Sequence, residues 1–156
     1  MVTGTLSLSW LPVGVLVGAA VGLVSTLVMD LPMNRLPEGP TAPNVAAGML
    51  SDRPLDRAPA GVATAAHYGA GVGTGVLFVA GVAVADWLLG AGLLVVPLVA
   101  VGLSVLMNWF FSFVVVPTYG RVPGSRVSTV RRDWALSATA YLVAATALVS
   151  GFVAVA

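Results

Sequence analysis

The stretch Gly61–Ala85, GVATAAHYGAGVGTGVLFVAGVAVA, is an apolar run that contains no Asp, Glu, Lys or Arg. A helix needs about 20 such residues to cross roughly 30 Å of bilayer hydrocarbon. The run lacks the alternation of apolar and polar residues that a membrane β-barrel strand requires. It therefore predicts a membrane-spanning α-helix, in which the backbone satisfies its own hydrogen bonds.

Three further apolar segments have a similar length, and together they predict four spans in approximately the ranges 11–29, 61–85, 93–116 and 134–155. We therefore predict an all-α, integral membrane four-helix bundle that forms a single membrane domain over residues 1–156. Counted from Trp87, the third span is too long and contains Pro97. It can tilt, kink at the proline, or begin with a short interfacial turn at 88–92, and the sequence leaves these alternatives open.

Two short segments of the chain resemble each other. AVGL at 20–23, followed by Met29-Asp30, matches AVGL at 100–103, followed by Met107-Asn108. Either the chain is a duplicated two-helix hairpin, with halves related by an axis along the membrane normal, or the match arises by chance in Ala/Val/Gly-rich sequence.

The composition excludes several classes of protein. Hydrophobic residues make up 58% of the chain and charged residues 8%, with a mean hydropathy of +1.00, whereas soluble domains carry about 25% charged residues. An ordinary soluble enzyme and a disordered chain are thus both excluded. A net charge of +1 argues against nucleic acid as a partner. Without cysteine there is no disulfide, thiolate nucleophile or cysteine-based metal site.

The arginines predict the orientation. All seven lie in the ranges 30–60 and 117–133, and the sequence has no lysine. The positive-inside rule therefore predicts that these two ranges are cytoplasmic loops, that both termini are extracytoplasmic and that the protein lies in the cell membrane. Trp10 and Trp87 then fall at the outer boundary and Trp134 at the inner one. The first ten residues carry no Arg or Lys, so we expect no cleavable signal peptide.

The first loop holds six of the ten prolines. Because proline fixes φ and lacks an N–H donor, no long helix fits there. A short helix beginning near Pro43 and covering 44–50 remains compatible with the sequence.

Small residues recur at four-residue spacing, which places them on one face of a helix. Gly14, Gly18 and Gly22 form such a row on the first span, and Gly69 and Gly73 continue one on the second, with Gly71 and Gly75 beside them. Helices in lipid associate through close approach over small residues. The rows predict tight packing within the chain, which we favour over a seam between two copies.

His67 is the one readily ionisable residue within the predicted hydrocarbon core. It is either a functional group, as expected for an ionisable side chain at that depth, or a neutral imidazole that hydrogen-bonds a neighbouring helix. Other polar residues fall in the same cytoplasmic half, including Thr64, Ser25 and Tyr68. They predict a cavity for a ligand or proton, or a hydrogen-bonded plug; the candidate cluster is His67, Asp30, Asn108, Ser104, Thr26 and Tyr141.

Other chemistries lack the required residues. Haem ligation by two histidines needs a second copy, and histidine-rich metal motifs are missing. A Ser-His-Asp triad from Ser104 or Ser112, His67 and Asp30 has no support in the spacing. We therefore expect no enzyme, no metal and no evident cofactor. A lipid, quinone or carotenoid against the glycine faces is neither required nor excluded.

The sequence also resembles a family of small uncharacterised four-helix prokaryotic membrane proteins. The matching residues are GLVSTLVM at 22–29, a Pro-rich loop containing NVAA at 44–47, His67 early in the second span, and PTYGR at 117–121. The resemblance implies a four-helix integral membrane protein and no particular activity.

For function, the sequence favours an accessory or structural subunit that packs against a larger membrane complex or against itself. Its expected partners are the lipid bilayer and another membrane protein or a second copy, and no nucleic acid. The alternative is a small transporter or a proton or ion pathway that uses the polar cluster around His67.

Overall fold

A computed structural model describes residues 10–90 and 92–155, and within these ranges the chain is helical with no strand. The five helices are α1 (Trp10–Met33), α2 (Thr41–Ser51), α3 (Ala60–Leu89), α4 (Val95–Tyr119) and α5 (Gly124–Val155). All but α2 contain a segment long and apolar enough to cross a membrane. The predicted all-α bundle with four membrane-spanning helices is confirmed, and α2 matches the short helix allowed in the first loop.

The helices extend beyond the predicted spans where charged residues continue a helical segment. α5 begins at Gly124 rather than at Trp134, so the predicted loop 117–133 is reduced to a short connection at 120–123. Hydropathy marks where a helix leaves the hydrocarbon, whereas the helix itself can continue into charged sequence that lacks strong helix breakers. Here Pro123 precedes the helix, and no glycine or proline lies between residues 125 and 150.

The connection between α3 and α4 settles the course of the overlong third segment. Trp87 belongs to α3, which ends at Leu89, and Gly90 and Gly92 take left-handed φ values of +60° and +57°. The Gly92 N–H donates to Oδ1 of Asp86 over 3.1 Å. Pro97 then lies in the first turn of α4, where its missing N–H breaks no helical bond. The chain turns at the glycines instead of kinking at the proline.

α1 and α3 pack backbone to backbone over glycines. A Cβ atom built on Gly18 would lie 2.6 Å from the Val76 Cα, and one on Gly22 would lie 2.5 Å from the Gly71 carbonyl oxygen. A Cβ on Gly75 would overlap the backbones of Gly18 and Gly22. Only glycine permits this approach. These four glycines (Gly18, Gly22, Gly71 and Gly75) form what we call the glycine seam.

Three glycines of the predicted packing rows do not lie at the contact between α1 and α3. A Cβ on Gly14, Gly69 or Gly73 would meet no atom within 4 Å. Of the predicted rows, Gly18 and Gly22 thus lie at the contact between α1 and α3, and these three residues do not. On α3 the seam uses Gly71 and Gly75, because the face toward α1 is rotated away from the Gly69–Gly73 row.

Beyond the glycine seam, the bundle is filled by apolar side chains. α1, α3, α4 and α5 all contribute to this core; its buried residues include Val21, Phe78, Val82, Val95, Val96, Leu142, Ala145 and Val149. These residues lie toward the end of the bundle opposite the arginines, which we call the distal end. The other end, where all seven arginines lie, is called the arginine end.

α4 changes its winding near the arginine end. Residues Phe111–Val115 form a π-helical turn, so the Val116 N–H bonds to the carbonyl five residues earlier and leaves that of Ser112 without its usual donor. The next donor along the chain would be Pro117, which has no N–H. Nη2 of Arg131 on α5 donates to the Ser112 carbonyl over 2.8 Å and satisfies it.

The loop after α1 is held to α5 by an ion-pair cluster. Arg126 donates from Nε and Nη2 to the two carboxylate oxygens of Glu38 over 2.6 and 2.7 Å, and Thr41 donates to the same carboxylate. The Glu38 N–H donates to Asp133, which is fully buried and also accepts a hydrogen bond from Arg132. The hydrogen bonds from Arg126 lower the pKa of Glu38, against the opposing effect of burial.

We expect Gly75→Ala to lower the free energy of unfolding by about 1–3 kcal/mol, because the new methyl group overlaps backbone that cannot move aside. Gly73→Ala is the matched control: it adds the same methyl group to open space and, by favouring the helix, leaves stability unchanged or raises it by up to about 1 kcal/mol. Unfolding in mixed detergent micelles, followed by circular dichroism, measures both. Equal losses in the two variants would contradict the glycine seam.

We also expect acid to weaken the attachment of the loop. A carboxyl group whose pKa is lower in the folded than in the unfolded state stabilises the fold at pH values above its pKa in the unfolded chain, which is about 4.3 for glutamate. That stabilisation disappears as the pH falls from there through the lower folded pKa. Glu38→Gln should therefore be less stable than the wild type at neutral pH and lose less stability on acidification. Parallel stability curves from pH 7 to pH 3 would exclude this role for Glu38.

Candidate functional site

The strongest polar constellation joins Asp30 of α1 to His67 and Tyr68 of α3. Nε2 of His67 lies 2.8 Å from Oδ1 of Asp30, and the Tyr68 hydroxyl donates to Oδ2 over 2.7 Å. The side chains of Asp30 and His67 are 24% and 12% exposed. Both carboxylate oxygens thus have a partner, while the group keeps access to the surroundings.

The helix geometry explains why these residues meet. Asp30 follows Thr26 by one turn on α1, and His67 precedes Gly71 by one turn on α3, so each lies on the face that carries the glycine seam. The two helices run in opposite directions, and both positions therefore lie just on the arginine side of the seam. The close backbone approach brings their side chains within hydrogen-bonding distance.

The Asp30 cluster opens into a cleft at the arginine end. The cleft has a volume of about 380 Å³, within the range of small-molecule sites. α1, α3 and the beginning of α2 line it. Its polar residues are Asp30, Asn34, Asn44, Thr64, His67 and Tyr68, and its apolar residues include Met33, Pro40, Pro43 and Ala63. We call it the Asp30 cleft.

Thr26 and Tyr141 form a layer on the distal side of the Asp30 cleft. Thr26 is fully buried, donates to the Gly22 carbonyl over 2.7 Å, and is in such close contact with Gly71 that no side chain fits there. The Tyr141 hydroxyl of α5 donates to the Gly71 carbonyl over 2.6 Å. Three helices therefore meet at Gly71, and the apolar core begins directly behind them.

Ser104 and Asn108 are not part of the Asp30 cleft. The Asn108 side-chain amide donates to the Ser104 carbonyl one turn earlier on the same helix, over 2.9 Å, and neither residue lines the cleft. The predicted cluster of six residues therefore divides into three pairs. Asp30 and His67 face the cleft, Thr26 and Tyr141 form the layer behind it, and the α4 pair is bonded locally.

Sequence reasoning missed Asn34 and Asn44 as cleft residues. Both lie in the Pro-rich segment, where hydropathy gives no indication of which side chains turn toward the bundle. The signal that could have identified them is their polarity beside the end of a span that carries Asp30. Tyr68 carried such a signal, because it adjoins His67 within an apolar run.

The chemistry available at the Asp30 cleft is hydrogen bonding and proton exchange. Among residues 10–90 and 92–155, no group of three or more His, Cys, Asp or Glu side chains is arranged to hold a metal ion. The imidazole–carboxylate pair can bind or release a proton, and the Asn and Thr side chains offer donors and acceptors.

Comparisons with known proteins gave no match: no family model, curated protein or solved structure is similar to this chain at a significant level. The resemblance to small four-helix prokaryotic membrane proteins therefore stays a prediction.

We expect Asp30 and His67 to be energetically coupled. In a double-mutant cycle with Asp30→Asn and His67→Gln, the interaction free energy should be about 0.5–3 kcal/mol, because the two side chains are in direct contact. The control cycle pairs Asp30→Asn with Thr139→Val. Thr139 is exposed and donates to Ala135 on its own helix, so its coupling to Asp30 should be near zero. Additive effects in the first cycle would contradict the contact.

Proposed function

We propose that the protein is an accessory membrane subunit that binds a polar group of a partner in the Asp30 cleft and carries nothing across the membrane. The partner is a larger membrane complex or a second copy of this chain. The observation that carries the proposal is a cleft, open at one end of the bundle, whose lining reaches Asp30 and His67, one helical turn short of the contact of Thr26 and Tyr141 with Gly71.

The packing of the distal half of the bundle favours binding at the Asp30 cleft over passage of an ion or a polar solute through the chain. The core behind Gly71 consists of side chains such as Phe78, Val82 and Val149, which offer no ligand to an ion or a polar solute. A route along the contact between α1 and α3 would require these two tightly packed helices to separate at the glycine seam. Binding at the cleft needs no such movement.

The chemistry of the Asp30 cleft indicates what it would bind. Asp30 is an acceptor in an open cleft with both polar and apolar lining residues, and the Asn34 and Asn44 amides can accept as well as donate. A group rich in hydrogen-bond donors, such as an ammonium or guanidinium on a partner's segment, complements this lining. Such a group would compete with His67 and Tyr68 for the carboxylate.

The arginine distribution supports a cytoplasmic position for the cleft. The three arginines between α1 and α3 and the four after α4 lie at the same end as the cleft, while the distal end carries Asp86 in the last turn of α3 and no arginine. By the positive-inside rule, the cleft then faces the cytoplasm and both termini lie outside.

A proton or ion pathway is the second candidate, favoured by the partial exposure of the His67–Asp30 pair. An ionisable pair within a membrane-spanning bundle, with access from one end, is a feature that proton and ion pathways use. The two candidates differ in whether a charge crosses the distal half.

Reconstitution into liposomes with an internal pH dye distinguishes the candidates. The accessory role predicts that the wild type, His67→Gln and Thr139→Val all show the proton leak of empty vesicles under an imposed gradient. A flux present in the wild type and Thr139→Val but lost in His67→Gln would reject the accessory role in favour of the pathway.

A second measurement tests binding directly. We expect the wild type and Thr139→Val, purified from native membranes in mild detergent, to retain a partner or a second copy at fixed stoichiometry. Asp30→Asn should release it while keeping its helical circular dichroism. Retention that is equal in all three proteins, or a chain purified alone in each case, would contradict binding through the cleft.

A further inference from the structure

A second recess lies at the arginine end, between α2 and the end of α4. Its volume is about 170 Å³. The α2 side contributes Asn44, Gly48, Met49, Asp52 and Arg53, and the α4 side contributes Thr118, Tyr119, Gly120 and Arg121. Apart from Asn44, none of these residues lines the Asp30 cleft. We call this recess the Arg53–Arg121 pocket.

The backbone around the Arg53–Arg121 pocket has an unusual conformation. Among the described residues, Asp52 and Arg121 are the only non-glycine residues with positive φ, at 51° and 44°, and both line this pocket. Asp52 ends α2, where its N–H bonds to the Gly48 carbonyl. Arg121, directly after Gly120, has a backbone conformation that is unfavourable for a residue with a side chain. Strained residues persist where the surrounding structure holds them, and they concentrate at ligand sites.

The charge of the pocket is positive. Arg53 and Arg121 are exposed, and Asp52 is the one carboxylate in the lining. Elsewhere at this end, Arg126 and Arg132 pair with Glu38 and Asp133. Within the part of the chain that the structure describes, Arg53 and Arg121 form no ion pair. Two guanidinium groups are therefore available to an external anion.

The pocket lies at the end of α4 and beside apolar side chains of α2, which indicates the kind of anion that it would bind. Thr118 and Tyr119 end a helix that is apolar enough to span a bilayer, and a bilayer that this helix spans would have its lipid headgroups beside the pocket. Met49 and Leu50 on α2 are 54% and 64% exposed, and they offer apolar surface next to the charged groups. An anion with an apolar tail fits both features.

We propose that the Arg53–Arg121 pocket binds the phosphate of an acidic phospholipid. The two guanidinium groups supply the charge, because Arg donates paired hydrogen bonds to phosphate oxygens. The Tyr119 hydroxyl and the Asn44 amide offer further donors at the pocket wall. The acyl chains lie along the apolar side chains of α2. Apart from Asn44, this site shares no lining residue with the Asp30 cleft, so the proposal does not require the partner proposed there.

The test titrates the purified protein in mixed micelles with phosphatidylglycerol and, separately, with phosphatidylcholine, and follows binding by native mass spectrometry. Arg53→Gln/Arg121→Gly removes both charges, and the glycine also relieves the positive φ at residue 121, so we expect this variant to stay folded. Arg35→Gln/Arg57→Gln is the matched control, because it removes two exposed arginines of the same end that do not line the pocket.

We expect the wild type and the control variant to bind phosphatidylglycerol more tightly than phosphatidylcholine by about tenfold or more, and the pocket variant to lose that preference. Equal losses in both variants would overturn the pocket, since they would show attraction by the general positive charge of this end. Binding of inorganic phosphate as tight as that of the lipid would overturn the lipid assignment and identify a free anion as the ligand.

Discussion

The close approach of α1 and α3 over the glycine seam is the constraint on which the rest of the structure depends. With the helix backbones in contact at Gly18, Gly22, Gly71 and Gly75, Asp30 can reach His67 and Tyr68, and Tyr141 can reach a carbonyl of α3. Lipid provides no hydrophobic force between apolar helices, so this contact depends on shape and on the hydrogen bonds it makes possible. The polar site therefore forms as a result of the helix packing.

Much of the fold could be predicted because lipid, as the solvent of this chain, determines which segments are apolar helices. Hydropathy identified four spans, and an isolated His67 in an apolar run indicated a partner that proved to be Asp30. Hydropathy could not give the rotation of α3, which moved the seam from Gly69 and Gly73 to their neighbours. A four-residue spacing of glycines occurs on more than one face of α3, and only the partner helix selects among them.

Other features depended on contacts between distant segments, which no local pattern records. The π turn of α4 is compatible with its sequence only because Arg131 supplies a donor to Ser112. Asn34 and Asn44 became cleft residues because α2 folds back against α3. The charged residues after Pro123 suggested a loop, yet they form the first turns of α5 and carry the ion pairs that hold that end together.

The ion-pair cluster around Glu38 has a consequence for the order in which the chain is completed. Glu38 finds its partners on α5, 88 and 95 residues further along the sequence. A nascent chain that has inserted its first hairpin into the bilayer therefore holds the Glu38 carboxylate without its arginine partner until the last helix has been translated. The segment before α2 therefore packs against α5 late, and this contact between the first and last parts of the chain completes the assembly of the bundle.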